Sequence, residues 1–432
     1  MIKHLSSIHF SHRPATIIKH LAVAGAFFML FAMPTTAQPV SVPDYSFLQI
    51  PKNTLLFYGH AEKNFEPFFR SWRSLILNGN EKIHIIHLGD SHLQADLFSG
   101  QIRFRLQTFL QGLTASRGMV SPFLKGAPDS YKINFGKEWK SAKITDNRPD
   151  YKLSWWGTTA YSEDSVAKVK IQVNFRNPIP YRFQTLRIYH SPLPQNAYWK
   201  IEGVDSALLH ASAYNHRAGC SDFTFDIASD TVTCTLYQPD SIRGVEVYGF
   251  YFANQDGGIT YSAAGINGAD VSHYLKLDPA AYDHLVSLKP QMIVISMGTN
   301  DAYLRFDADK FKSDYEQWIS KIRTACPDIP IILTTPPDSW FRRKRINARM
   351  GQAEQAIKEI AARQDCAVWD IYAAMGGKGS STKWFREKLM QRDRIHFTTA
   401  GYQLQGDLLY NALWSAFDRY LDKQAENNNP VL

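Results

Sequence analysis

Cysteine is scarce in this chain, with four residues in 432, and none stands in a CxxC pair. No HxxxH pair accompanies them, so the patterns that usually hold zinc are missing. Long apolar runs are missing too. The longest extends only from Leu21 to Met33, well short of the roughly 20 residues a helical membrane span needs. There are no internal repeats, no long low-complexity stretches and no basic-aromatic groove motif, which leaves nucleic acid without a recognisable partner surface. The formal net charge of +8 is mild, and setting aside Lys3, Arg13 and Lys19 leaves +5. What the chain does have is aromatic residues, 13% of the total, and enough length for a full core and more than one domain.

Those three basic residues precede the apolar run, and Thr35-Thr36-Ala37 follows it, a pattern that reads as a secretory signal over residues 1–37. Cleavage after Ala37 predicts a periplasmic or secreted protein with no stable membrane anchor. In an exported chain the four cysteines are candidates for pairing, Cys220 with Cys234 and Cys326 with Cys366 by proximity in sequence. Buried free thiols are the alternative.

Two textures alternate along the rest. Residues 65–113 and 285–420 combine short apolar strands with helices of one-sided apolar spacing. Strands are predicted at Ile83 to Leu88, Met292 to Ser296, Pro330 to Thr334 and Ala367 to Ile371. Between and after them Ile102, Leu106, Phe109 and Leu110, then Phe311, Tyr315, Trp318 and Ile322, then Ile346, Met350, Ala353, Ile357 and Ile360, recur at helical spacing. A last helix begins near Thr399, and Glu426 to Pro430 reads as a disordered tail. This alternation implies a parallel sheet covered by helices on both faces, with reactive groups at the carboxyl ends of the strands. Residues 115–262 instead carry β-branched and aromatic segments such as Lys168–Phe175, Tyr181–His190 and Thr231–Tyr237, punctuated by turn residues, and predict an inserted β-sandwich.

The residues suited to chemistry lie at those strand ends. Ser91 follows the first strand in Gly89-Asp90-Ser91-His92, where a strand-to-helix turn would expose its hydroxyl over a helix N-terminus. In Asp393-Arg394-Ile395-His396 the spacing lets a carboxylate fold back onto the imidazole of its own loop and fix its tautomer. Gly298-Thr299-Asn300-Asp301 ends the second strand, and an Asn amide there can donate to an oxyanion. Ala264-Gly265-Ile266-Asn267-Gly268-Ala269 supplies glycines whose backbone N–H can approach a substrate closely. His84 and His87 point to opposite faces of a strand and cannot chelate one ion together.

Taken in order, these four blocks resemble the SGNH (GDSL-type) hydrolase superfamily, with Ser91, Gly268, Asn300 and the Asp393/His396 pair matching its serine, glycine, asparagine and histidine blocks. The fourth residue of the GDSL tetrad is His92 here. The resemblance implies a flavodoxin-like three-layer α/β/α core, a Ser91–His396–Asp393 triad, an oxyanion hole from the N–H groups of Ser91 and Gly268 and the Asn300 side chain, and no metal or other cofactor. An all-β insert between the serine and glycine blocks is similar to the branch that contains peptidoglycan O-acetylesterases. The implied organisation is a signal peptide over 1–37, core over 38–114 and 263–422, a carbohydrate-module-like insert over 115–262, and a tail over 423–432. The implied activity is hydrolysis of O-acetyl esters on a cell-wall glycan. Acetylated plant or host polysaccharide, acetyl transfer by the same triad, and glycan binding by an inactive core stay open.

Two further features bear on a glycan. Trp155 and Trp156 are adjacent, so on a strand only one could face a sugar; Trp155 is the candidate, against the plainer reading that it is buried in the sandwich. Arg342, Arg343, Lys344, Arg345 and Arg349 cluster where a helix is predicted to begin. Cations there oppose the helix dipole, so Arg342, Arg343 and Arg345 are candidate contacts to acidic groups on a substrate, against the plainer reading of a solvated basic face.

Overall fold

The computed structural model describes residues 39–146, 151–203, 209–211, 214–239 and 244–428; the expected signal segment, 1–37, lies outside them. Strands whose residues are nearly all buried can only lie in a sheet covered on both faces, and the described core is built that way. Its strands are β1 (Leu55–Phe57), β2 (Lys82–Gly89), β3 (Gly258–Gly265), β4 (Met292–Ser296), β5 (Ile331–Thr334) and β6 (Ala367–Trp369). Their order is β1-β6-β5-β4-β2-β3. β2 through β6 run parallel, and only the edge strand β1 is antiparallel, against β6. Without β1 this is the flavodoxin-like order 2-1-3-4-5, which reverses direction between β2 and β4. Gly265, Gly89, Ser296, Thr334 and Trp369 pair in one row across the carboxyl end, so the loops that follow them open onto one edge.

Helices Ala308–Ala325 and Arg349–Arg363 pack together on one side; Phe98–Thr108 and Thr399–Asn428 pack together on the other. The last helix runs to Asn428, so residues 423–428, expected in a disordered tail, continue its turns. Helix Arg349–Arg363 starts three residues later than the Ile346 periodicity suggested. Trp340–Phe341 and Arg345–Ile346 form a hairpin instead.

The expected insert is two antiparallel sheets. One contains Leu209–Ala211, Cys220–Ser229, Phe183–His190, Val245–Ala253, Thr158–Ser162 and Lys140–Lys143, with Gly118–Val120 added to Val245–Ala253. The other contains Lys132–Phe135, Val166–Gln172, Thr231–Tyr237 and Tyr198–Glu202. Ala167, Val169 and Ile171 alternate with exposed residues and meet Phe183, Leu186 and Phe250 in a shared core, the period-two signature of a sheet buried on one face. The expected boundary at 262/263 falls inside β3, which belongs to the parallel sheet.

The larger sheet does not turn its second face to water. Trp156, Tyr189, Cys220 and Tyr248 join Ile86, Ile293, Tyr315 and Trp318 in one continuous apolar core. Trp155 lies at this joint, 0% exposed, with its ring 5.4 Å from Tyr282 and 6.4 Å from Trp318. The two tryptophans occupy a turn closed by Gly157 N–H to Ser154 O at 3.0 Å, not a strand, so the opposite-faces argument does not apply and both are buried. Trp155 therefore cannot stack on a sugar.

The proposed disulfides are absent: all four cysteines are free thiols. Cys220 faces the joint and Cys234 the sandwich core, in separate sheets. The Cys366 thiol donates to Gln364 O at 3.2 Å, and burial pushes it up to about 12.

Candidate active site

Ser91 is presented by a turn that tolerates no bulk beneath it. A Cβ on Gly89 would lie 2.5 Å from Leu93 Cδ1 and 2.8 Å from Ser296 O. Asp90 leaves the strand and caps the next turn, its Oδ1 accepting from His92 N–H at 2.9 Å. The helix that Ser91 opens is one turn long, Ser91–Gln94, before the chain breaks at Asp96 (φ 53°) and resumes as Phe98–Thr108. A single turn has little macrodipole, so the full helix N-terminus expected below Ser91 is reduced to individual N–H groups.

The loop after β6 and helix Ser380–Arg386 brings His396 to the serine. Ser91 Oγ lies 2.9 Å from His396 Nε2, and His396 Nδ1 lies 2.7 Å from Asp393 Oδ2. The other carboxylate oxygen, Oδ1, accepts from Ile395 N–H at 2.9 Å and His396 N–H at 3.0 Å, so Asp393 fixes the loop and the ring together.

The loops after β3 and β4 lie side by side, because Asn300 Nδ2 donates to Ala269 O at 2.8 Å. Ile266 to Ala269 is a turn closed by Ala269 N–H to Ile266 O at 3.1 Å, with Gly268 (φ 78°) at its third position, where a positive φ favours glycine. Nothing lies within 4 Å of where a Gly268 Cβ would stand. Gly265 is the opposite case. Its Cβ would lie 2.4 Å from Gln94 N and 2.5 Å from Asp90 O, so β3 can approach the serine turn only as glycine.

Residues 238–404 match the model of the GDSL-like lipase/acylhydrolase family. The chain carries a GDSL-like lipase/acylhydrolase domain. The matched span includes Gly268, Asn300, Asp393 and His396 and starts after Ser91, which the insert separates from it. Among solved structures, one described as a peptidoglycan O-acetylesterase aligns at TM-score 0.69 and 20% identity, over 84% of this chain and 99% of its own. That coverage is too wide to omit the β insert, so the two share the composite fold. A lipase/acylhydrolase from Enterococcus faecalis aligns at 26% identity over 38% of this chain and 77% of its own, with TM-score 0.30. A family two carbohydrate esterase from Clostridium thermocellum aligns at 12% identity over 66% and 98%, with TM-score 0.28. No curated protein sequence matches the chain.

At the site the electrostatics follow from burial and hydrogen bonding. Burial would raise the Asp393 carboxyl, but the His396 side chain and the two backbone N–H groups overcome it and hold it at about 2. The bond to Asp393 in turn raises His396 above the usual imidazole value, against the effect of its partial burial. Asp90 goes the other way, raised to about 6 because burial outweighs the donors around it. His92 is buried behind the pair, its ring 5.4 Å from that of His396; burial, then the neighbouring His396, lowers it to about 3. It is neutral at ordinary pH, with Nδ1 3.1 Å from Tyr402 OH and Nε2 without a partner.

Several other residues shape this site. Gln94 Oε1 accepts from Asn267 N–H at 2.7 Å and Tyr274 OH donates to Gly89 O at 2.9 Å, fixing the glycine loop and the serine turn. Asp301 accepts from Val271 N–H at 3.1 Å and is pushed by burial up to about 7. Asp90 and Asp301 stand in the two strand-end motifs, Asp90 as an Asp placed to cap the turn after a strand, whereas Gln94 and Tyr274 carry no motif signal.

His84 and His87 are hydrogen-bonded inside the sheet. His84 Nε2 meets Ser262 Oγ at 2.7 Å, and His87 Nε2 meets Ser296 Oγ at 2.6 Å while its Nδ1 meets Tyr261 OH at 2.7 Å. Among the described residues no group of three or more His, Cys, Asp or Glu is placed to hold a metal ion, and no helix is long and apolar enough to cross a membrane.

Arg342, Arg343 and Arg345 stand exposed on the Trp340–Ile346 hairpin, beside the site rather than in it. Trp340 N–H donates to Arg394 O at 3.0 Å, which ties the hairpin to the loop bearing Asp393 and His396.

Proposed function

We propose that this protein is an exported serine esterase that removes O-acetyl groups from a cell-wall glycan, with peptidoglycan the leading substrate. The observation that carries the chemistry is the unbroken chain from Ser91 Oγ through His396 (2.9 Å) to Asp393 (2.7 Å) at the carboxyl edge of the sheet. His396 Nε2 takes the Ser91 proton as Oγ bonds to the ester carbonyl carbon. The N–H groups of Ser91 and Gly268 and the Asn300 amide receive the negative oxygen. As the tetrahedral species collapses, His396 returns the proton to the departing sugar oxygen, leaving an acetyl-Ser91 ester. Water then attacks that ester, giving its proton to His396, and acetate leaves with Ser91 restored. No step needs a metal or other cofactor.

The substrate reading rests on the shared composite fold with the peptidoglycan O-acetylesterase, insert included, and the export reading on the 1–37 signal pattern. The organisation we propose is a split hydrolase core around a β-sandwich that is fused to it. Acetate release from purified O-acetylated peptidoglycan and from acetylated xylan, comparing wild type with Ser91→Ala, tests both parts. Release from peptidoglycan that vanishes in the variant supports nucleophile and substrate together. Release from xylan alone keeps the chemistry and moves the substrate to neutral polysaccharide. Silence on both, and on simple aryl acetates, would refute hydrolysis.

A further inference from the structure

Four consecutive cations, Arg342, Arg343, Lys344 and Arg345, crown the Trp340–Ile346 hairpin, and all are exposed. None has an acidic partner among the described residues. The turn is closed by Lys344 N–H to Phe341 O at 3.0 Å, and its two central residues are left-handed, Arg342 at φ 50° and Arg343 at φ 59°. Such a turn favours Asn-Gly, and branched or long L side chains there are strained. Hairpin stability therefore does not account for Arg-Arg. Helix stability does not either, since the helix starts only at Arg349.

The guanidinium groups of Arg342 and Arg345 lie 5.1 and 5.5 Å from the Phe341 ring centre, held around one aromatic plate despite their like charge. Arg349 is near the same ring, at 4.9 Å, but its Nε and Nη2 donate to Ala302 O and Tyr303 O, which hold it against the body of the protein. The free cations are thus those at the tip.

The hairpin is also bonded to both sides of the site. Trp340 N–H reaches Arg394 O, between Asp393 and His396, at 3.0 Å. Arg342 N–H meets Tyr303 OH at 3.3 Å, and Tyr303 N–H in turn bonds Asn300 O at 3.2 Å. The hairpin is thus tied through its backbone to the His396 loop and, by way of Tyr303, to the Asn300 loop.

We infer that the hairpin is a carboxylate-binding rim that selects acidic glycans, its guanidinium groups engaging carboxylates borne by the same strand as the ester. This rests on the Ser91 esterase reading above and names the substrate class within it.

Two variants test it: Arg342→Asn with Arg343→Gly, which gives the turn its preferred pair and is expected to fold at least as well, and Lys344→Glu with Arg345→Glu. The readout is the ratio of kcat/KM on O-acetylated peptidoglycan to kcat/KM on a neutral aryl acetate. The first variant is expected to lower that ratio about tenfold and the second further, from two charges lost or reversed at a partly solvated rim. The wild-type ratio is expected to fall with added salt, and the variants' ratios to respond less. On acetylated xylan, which has few carboxylates, the same variants should leave the ratio near its wild-type value. Peptidoglycan whose carboxylates are amidated with a carbodiimide and glycinamide locates them: in the intact polymer the lactyl groups of the sugars are already tied up as the amide to the stem, so a variant effect that disappears places the carboxylates on the stem peptides, and one that persists overturns carboxylate binding. If both variants keep the wild-type ratio while wild type cleaves both substrates, the inference is overturned and the esterase reading stands. If wild type cleaves no ester at all, that reading fails and takes the rim's role with it.

Discussion

Asp393→Asn alters a single atom type and isolates the tautomer of His396. In the native loop Oδ2 accepts from Nδ1 at 2.7 Å, which leaves the lone pair on Nε2, 2.9 Å from Ser91 Oγ. Oδ1 is committed to the N–H groups of Ile395 and His396. An asparagine keeps its carbonyl oxygen for those two donors, so its NH2 must face Nδ1, where it can only donate. His396 then carries its proton on Nε2 and cannot accept one from Ser91. The expected loss is about a thousandfold to ten-thousandfold in kcat/KM, roughly 4–5 kcal/mol of barrier. The pH profile should move as well. His396 must be neutral to act as base, so wild-type activity should rise with pH through a midpoint above 6.5, because the Asp393 bond raises its pKa. With that bond gone, partial burial is the main influence left, and the residual activity of the variant should titrate lower. Hydrolysis of an aryl acetate followed over about pH 5 to 9 reads both effects. A variant that kept more than about a tenth of wild-type kcat/KM, with an unmoved acidic limb, would refute the tautomer argument.

Asn300→Ala is expected to lower kcat about a hundredfold or more with a smaller effect on KM, the mark of a donor used mainly in the transition state; steady-state kinetics on the aryl acetate decide it. Gly268→Ala should cost only about 1 kcal/mol of stability by urea unfolding, since its φ is 78° but its surroundings are open, whereas Gly265→Ala should disrupt the fold by driving a methyl against Gln94 N and Asp90 O. Burial lowers His84 to about 4, and His87 and His92 to about 3. The unfolded chain therefore binds protons near pH 6.5 that the folded chain refuses, so stability should fall as pH drops below about 6.5 toward 4. His92→Leu removes one of these groups along with an unpartnered ring nitrogen; its Tm should be at least that of wild type and should decline less between about pH 7 and 5. With four free thiols, a reducing agent should leave Tm unchanged, and a drop on reduction would contradict the unpaired arrangement.

Much of the core was legible because its strands are fully buried apolar runs and its helices keep a strict apolar face. Met292–Ser296 falls where the sequence put it, and the parallel sheet with its antiparallel insert follows the two textures. What escaped were elements whose character comes from tertiary partners. β3, Gly-Ile-Thr-Tyr-Ser-Ala-Ala-Gly, alternates like a sandwich strand and reveals its place only by pairing with β2. β1 is three residues long and exists because β6 offers an edge. Ile346 fits a helical period but sits opposite Trp340 in a hairpin, since local periodicity cannot detect a partner strand. Trp155 lies in a stretch of β texture, which suggests a strand, but it sits in a turn and its burial depends on Tyr282 and Trp318, more than a hundred residues away. In the site, Ser91, Asn300, Asp393 and His396 were readable from short motifs. Gln94 and Tyr274 were not, because each works through a backbone group of another loop.

The pairing order of the parallel sheet also sets a schedule for how the molecule is made. β2 leads directly into Ser91, yet both of its neighbours, β3 and β4, are encoded from residue 258 onward, beyond the strands of the β insert. A chain emerging in sequence can close the sandwich first, but its serine strand must wait, unpaired and strongly apolar, until more than half of the polypeptide exists. Contacts of such long separation are slow and leave edges exposed while they form. Fragments ending before β3 and β4 should therefore leave β2 unpaired, and fragments that contain the whole sheet but end before His396 should still lack a working serine.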